Sequence, residues 1–138
     1  MDLDVAAIRL SLPGRPEYVR LGRLALAGLA HARPLPAEAL ADLKLALTEA
    51  CSLRRASAHG SGRYDITFEL HDDGRLVVEI VDGDGFVPVE APESEAAMGM
   101  AIIRAVVDEV ELGPTPADAP SRLRFVKQLP DNDSGRRD

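Results

Sequence analysis

The chain has 138 residues, 46% of them apolar and 28% charged, a mix that folds as one globular domain with a sizeable core. Its formal net charge of −7 argues against sequence-independent binding to nucleic acid, whose phosphates need a basic face, and fits a basic protein partner better. The longest apolar-rich run, Leu24 to Ala32, is too short to span a bilayer, no signal peptide is evident, and the one cysteine, Cys51, allows no internal disulfide, so no membrane contact and a cytoplasmic setting are expected.

Val5–Leu12 reads as a first strand, closed by "LPGRP", whose Pro13, Gly14 and Pro16 stop pairing. A helix is expected from near Glu17, with Leu21, Leu24, Ala25, Gly28 and Leu29 at helical spacing and Arg20 and Arg23 off that stripe. "ARPLP" breaks the chain, and a second helix is expected from about Ala37 to about Ala58. Leu40, Leu43, Leu47, Ala50 and Cys51 form its main stripe. Leu45, Glu49, Leu53 and Ala56 form a second line, offset by more than a quarter turn.

After "HGSG" the period changes to two. Tyr64, Ile66, Phe68 and Leu70 alternate with Asp65, Thr67 and Glu69, as in a half-buried strand. "HDDGR" reads as a hairpin turn, with Gly74 free to take positive φ, and Leu76–Val81 as the returning strand. The loop "DGDGFVPVEAPESEA" leads to a short helix expected from about Met98 to Val107, with Ile102, Ile103 and Val106 as its core face. "EVEL" and Arg122–Gln128 read as strands either side of the proline-rich "GPTPADAPS". There are no repeats. The order predicts an α+β two-layer sandwich, a largely antiparallel sheet with helices on one face, over residues 1–129, and a disordered tail at 130–138.

Several side chains admit a chemical reading and a plainer one. Glu49, an acid on a mostly apolar stretch, is either a general base or a retained acid on a shallow pocket wall. Asp82 and Asp84 can be read as a cation site or as a solvated turn. Cys51 is most simply a small core residue, and Met98 and Met100 packing groups. His31, His59 and His71 show no ligand spacing, so no metal site is expected. Arg54 and Arg55 can hold an anion, with a solvated helix end as the default.

Four pieces in order, "PEYVRLGR", "LKLALTEACS", "DGDGF" and "MGMAIIRAVVDEVEL", resemble the anti-sigma factors of the RsbW/SpoIIAB serine-kinase type, which have the GHKL (Bergerat) ATPase-like fold. The likeness runs from about residue 5 to 128. It implies that Glu49 stands where the family keeps its catalytic base. The family's magnesium-binding asparagine, one turn further on, is replaced here by Leu53, which has no oxygen to offer. Aligning on Gly83, Gly85 and Phe86 puts Val81 where the family has the aspartate that accepts from the adenine amino group. Asp82, one residue later, is then expected on the opposite face of the strand. The phosphate-cradling Gly-x-Gly reads Ala97-Met98-Gly99, and the lid loop holds Glu90, Glu93 and Glu95 with no Lys or Arg.

The resemblance therefore implies an anti-sigma factor that binds a sigma factor directly and is released by an anti-anti-sigma antagonist. No cofactor and no kinase activity are expected; the alternative is an active, Mg-ATP-dependent protein-serine kinase. Glu17 and Arg20 match the family's partner-binding positions, their plainer reading being an exposed pair, and a homodimer is implied by resemblance alone.

Overall fold

Alternating side chains on the strands create one apolar sheet face, and three amphipathic helices cover it. The computed structural model describes residues 6–55, 62–87, 94–113 and 122–130. The strands are β1 (Ala6–Pro13), β2 (Arg63–Leu70), β3 (Arg75–Asp82), β4 (Glu109–Gly113) and β5 (Arg122–Gln128). The helices are α1 (Val19–Ala32), α2 (Ala37–Ser52) and α3 (Glu95–Val106), and a 3-10 turn over Pro16–Tyr18 leads into α1. The sheet order is β1-β2-β3-β5-β4, with every neighbouring pair antiparallel. The expected α+β architecture is the one observed. The proline-rich turn, the helix end beyond Arg55 and the tail lie outside the described residues.

Register explains the core. Ile66 pairs with Ile80, Phe68 with Val78 and Leu70 with Leu76, and all six point to the helix layer and are buried. From β5, Leu123 and Phe125 join them, under Leu26 and Leu29 of α1, Leu43 and Leu47 of α2, and Ile103 of α3. Each such large side chain contributes about 1.5–3 kcal/mol by leaving water. Gly22 lets α1 approach closely, since a Cβ there would lie 2.9 Å from Leu47 Cδ2 and 3.2 Å from Ile66 Cδ1. Gly74 takes the expected left-handed conformation, φ 89°, in the β2–β3 turn.

Three boundaries differ from the sequence expectation. β1 runs through Pro13, which pairs with Arg63, instead of closing at Leu12, because proline loses only its donor and can still lie opposite a partner on an edge strand. The second helix stops at Ser52 rather than near Ala58, because the chain beyond it pairs with the loop after β3. Val87 N–H donates to Leu53 O at 2.8 Å, Arg55 N–H donates to Gly85 O at 2.9 Å, and Arg54 forms a bridge with Phe86. Phe86 is fully buried, so this crossing is anchored in the core. α3 starts at Glu95 rather than near Met98, because the Ser94 hydroxyl accepts from Ala97 N–H at 3.0 Å and caps it.

Candidate functional site

A cavity of about 380 Å³ opens between α2 and α3, lined among others by Glu49, Leu53, Val87, Glu95, Met98 and Gly99. α2 supplies Glu49 one turn before Leu53, so both face the same side. α3 supplies Gly99, whose missing side chain leaves room for them: a Cβ there would lie 3.3 Å from Glu49 Oε1 and 3.6 Å from Leu53 Cδ2. Leu53 is buried, and Glu49 has no hydrogen bond or ion pair among the described residues. The described lining holds two carboxylates, from Glu49 and Glu95, and no basic side chain. Glu90 and Glu93 of the expected lid lie outside the described residues.

The other site residues divide around this cavity. Ala97 and Gly99 are in the first turns of α3, where Ala97 N–H is used by the Ser94 hydroxyl and Met98 N–H by the Ser94 carbonyl. Gly85 takes φ 86° in the turn after β3, which explains a glycine there, whereas Gly83 is exposed and meets nothing. Val81 does not reach the cavity. It lies on the outer face of the sheet, 41% exposed, with Val77 and Glu79 on the same phase of β3.

Asp82 lies on the strand face opposite Val81, as expected, but it is Asp82 and not Val81 that faces inward. It follows Leu76, Val78 and Ile80 on the inward phase and brings a buried carboxylate to the helix side. Both its oxygens are bonded: Oδ2 accepts from Arg54 Nη1 at 2.9 Å and Oδ1 from Asp84 N–H at 2.8 Å. A turn bond of this kind is the solvated-turn reading of Asp84; no cluster of three or more His, Cys, Asp or Glu poised for a metal occurs among the described residues.

Arg54 is likewise not a solvated helix end. Its side chain is 10% exposed and that of Asp82 is 3% exposed. Its guanidinium carbon lies 3.5 Å from the centroid of the Tyr64 ring, and Tyr64 sits opposite Asp82 in the β2–β3 register. Arg54 Nε and the Tyr64 hydroxyl are buried without an oxygen or nitrogen partner among the described residues. The polar group beside the hydroxyl is the thiol of Cys51, a weak hydrogen-bonding partner. Burial pushes the Cys51 thiol up to about 12, against the opposing pull of the Arg54 charge, so Cys51 is a neutral, unreactive core group. Burial also raises the Tyr64 phenol to about 12, with the Cys51 charge adding to the rise.

Glu17 and Arg20 are both exposed, on the 3-10 turn and the first turn of α1, and no ion pair joins them among the described residues. Leu21 and Leu24 are 42% and 65% exposed on the same helix. Sequence reasoning missed Tyr64 and Ser94 as well as the role of Arg54. The inward phase of β2 identified Tyr64 as buried, but nothing local said that an arginine would stack on it.

Comparison with known proteins agrees with this architecture. The family of the histidine kinase-like ATPase domain matches residues 12–125. The serine-protein kinase RsbW of Listeria innocua is 30% identical over 123 residues, covering 76% of this chain and 78% of its own. The serine-protein kinase RsbW of Bacillus velezensis is 27% identical over 129 residues, covering 81% of each chain. The crystal structure of the RsbU and RsbW domains of a Mycobacterium tuberculosis protein superposes with a TM-score of 0.69 at 16% identity. That alignment covers 90% of this chain and 32% of the larger one, and shows the shared fold. The chain belongs to the histidine kinase-like ATPase domain family, as an RsbW-like member.

Proposed function

We propose that this protein is an anti-sigma factor that sequesters a sigma factor by direct binding, yields it to an anti-anti-sigma antagonist, and does so without ATP-dependent kinase activity. The observation that carries the second half is the cavity wall at Leu53, beside Glu49 and Gly99. A magnesium ion needs oxygen ligands and a triphosphate needs N–H or cationic partners. The side chains present do not fit Mg-ATP. Leu53 offers no oxygen, the Asp82 oxygens are bonded, and the Ala97 and Met98 N–H groups are used by Ser94. The cavity's charged groups are carboxylates, which repel phosphate.

The first half rests on family membership together with the exposed surface of α1. Among the described residues Arg20 has no ion pair, and it lies beside exposed Leu21 and Leu24, a charged and apolar mixture suited to a protein partner. The net charge of −7 favours encounter with a basic sigma-factor surface. A homodimer is part of the proposal, and β1 is an edge strand of the sheet. No described helix is long and apolar enough to cross a membrane.

One observation favours a second reading, an active protein-serine kinase: Glu49 is retained, faces the cavity and has no partner among the described residues. Thermal unfolding with millimolar Mg-ATP separates the two. A ligand present at about 100 times its Kd adds roughly 2.7 kcal/mol, so the proposal expects an unchanged Tm. A clear rise, with phosphate transfer to a co-purified antagonist that Glu49→Ala abolishes, overturns the non-kinase reading. Purification from the native host tests the partner: a bound sigma factor is expected, and Arg20→Ala is expected to weaken it at least about tenfold with Tm unchanged. Unaltered binding would remove Arg20 from the interface.

A further inference from the structure

Arg54 has no role in the proposed partner surface, yet it is a charged side chain buried to 10% exposure. Its charge is desolvated at the end of β3, its Nη1 is held by Asp82, its face lies on Tyr64, and its Nε goes unmatched. Together Tyr64 and Asp82 make a slot with a flat aromatic floor and a carboxylate wall. Such a slot selects a planar group that stacks and presents N–H donors at its edge. A guanidinium satisfies that description. So does an aminopurine ring.

We propose that the Arg54 side chain is an intramolecular occupant of a planar-ligand slot formed by Tyr64 and Asp82, and that this residue is what closes the slot to aminopurine nucleosides. The proposal rests on the reading of the neighbouring cavity as one that does not take Mg-ATP, and it assigns the base end of that failure to one side chain. Three features point to occupancy rather than ordinary packing. Arg54 enters from outside the helix, where α2 has already ended and the chain bridges to Phe86, so its stem is delivered over the sheet end. The stacking distance of 3.5 Å is that of two planar groups in face contact. Among the described residues Arg54 Nε has no partner and the Tyr64 hydroxyl has only the weak Cys51 thiol, so the slot's polar edge and the arginine match only in part.

The slot can be emptied and refilled. In Arg54→Ala, adenosine is expected to bind at least ten times more tightly than to the unaltered protein, seen as saturable amide shifts around Tyr64 and Asp82 in NMR titration. Adding Asp82→Leu, which removes the acceptor oxygens, is expected to abolish that gain. Methylguanidinium at low millimolar concentration is expected to raise the Tm of Arg54→Ala, and methylammonium at the same concentration is not. Should Arg54→Ala be unfolded by itself, recovery of its native signal by methylguanidinium but not methylammonium is the same measurement. The proposal is overturned if neither adenosine nor methylguanidinium acts on Arg54→Ala, or if their action is indifferent to Asp82. Either result leaves the non-kinase reading standing, because that reading fails only through Mg-ATP binding and phosphate transfer by the unaltered chain.

Discussion

Replacing Asp82 by alanine removes the carboxylate that holds Arg54. The two side chains are 3% and 10% exposed, so the guanidinium left behind cannot regain full hydration. Breaking one partner out of a buried ion pair costs about 3–5 kcal/mol. Loss of the Oδ1 bond to Asp84 N–H adds about 0.5–1.5 kcal/mol. The stack of Arg54 on Tyr64 is present before and after and returns none of this. The expected loss is therefore about 3.5–6.5 kcal/mol, a large share of the roughly 5–15 kcal/mol available to a domain. Urea unfolding at neutral pH reads it directly. The double change Arg54→Met with Asp82→Leu replaces both charges by apolar groups and is expected to lie within about 1.5 kcal/mol of the unaltered protein. A loss below about 1 kcal/mol for Asp82→Ala, the value of an exposed pair, would refute the buried-pair argument. So would a double variant no more stable than the worse single one.

Ser94→Ala removes the cap of α3 and leaves Ala97 N–H unbonded, so a loss of about 0.5–2 kcal/mol is expected in the same urea experiment. No loss would mean that α3 does not depend on Ser94 for its start. The pH dependence follows from Cys51 and Tyr64, both neutral when protonated and both raised to about 12 in the fold from 9.0 and 10.0. Between about 9 and 12 the folded state binds more protons than the unfolded chain, so stability is complete below that window and falls as pH rises through it. Urea midpoints at pH 8, 9.5 and 11 check this, and Cys51→Ala is expected to remove the part of the fall that begins near pH 9. The Cys51 thiol of the folded protein is also expected to resist alkylation at pH 8, and rapid reaction would contradict its burial.

Strand phases, the main stripe of α2 and turn chemistry were legible in the sequence because each rests on neighbours within a few residues. The stripe of α1 was misread: Leu21 and Leu24 are exposed, and Gly22, Leu26 and Leu29 are the residues that α1 buries. The alternation from Tyr64 to Leu70 requires one face inward, and Gly74 supplies a turn that other residues resist. The same locality placed Glu49 and Leu53 on one side of α2, and the structure brings Gly99 to meet them. The end of α2 was not legible. Leu53, Arg54 and Arg55 are acceptable helix residues, and only the loop at Gly85, Phe86 and Val87 draws their backbone away.

What the sequence by itself determined is the order of elements, the apolar faces of the strands and of α2, and the family pattern with Leu53 and Ala97 out of place. Tertiary structure decided which carboxylate faces inward and what answers it. Moving one residue along a strand exchanges its two faces, so the choice between Val81 and Asp82 depended on how β3 seats between β2 and β5. Whether Arg54 is solvated or buried depended on three separate segments, the end of α2, the start of β2 and the end of β3, which meet because the core beneath them must close.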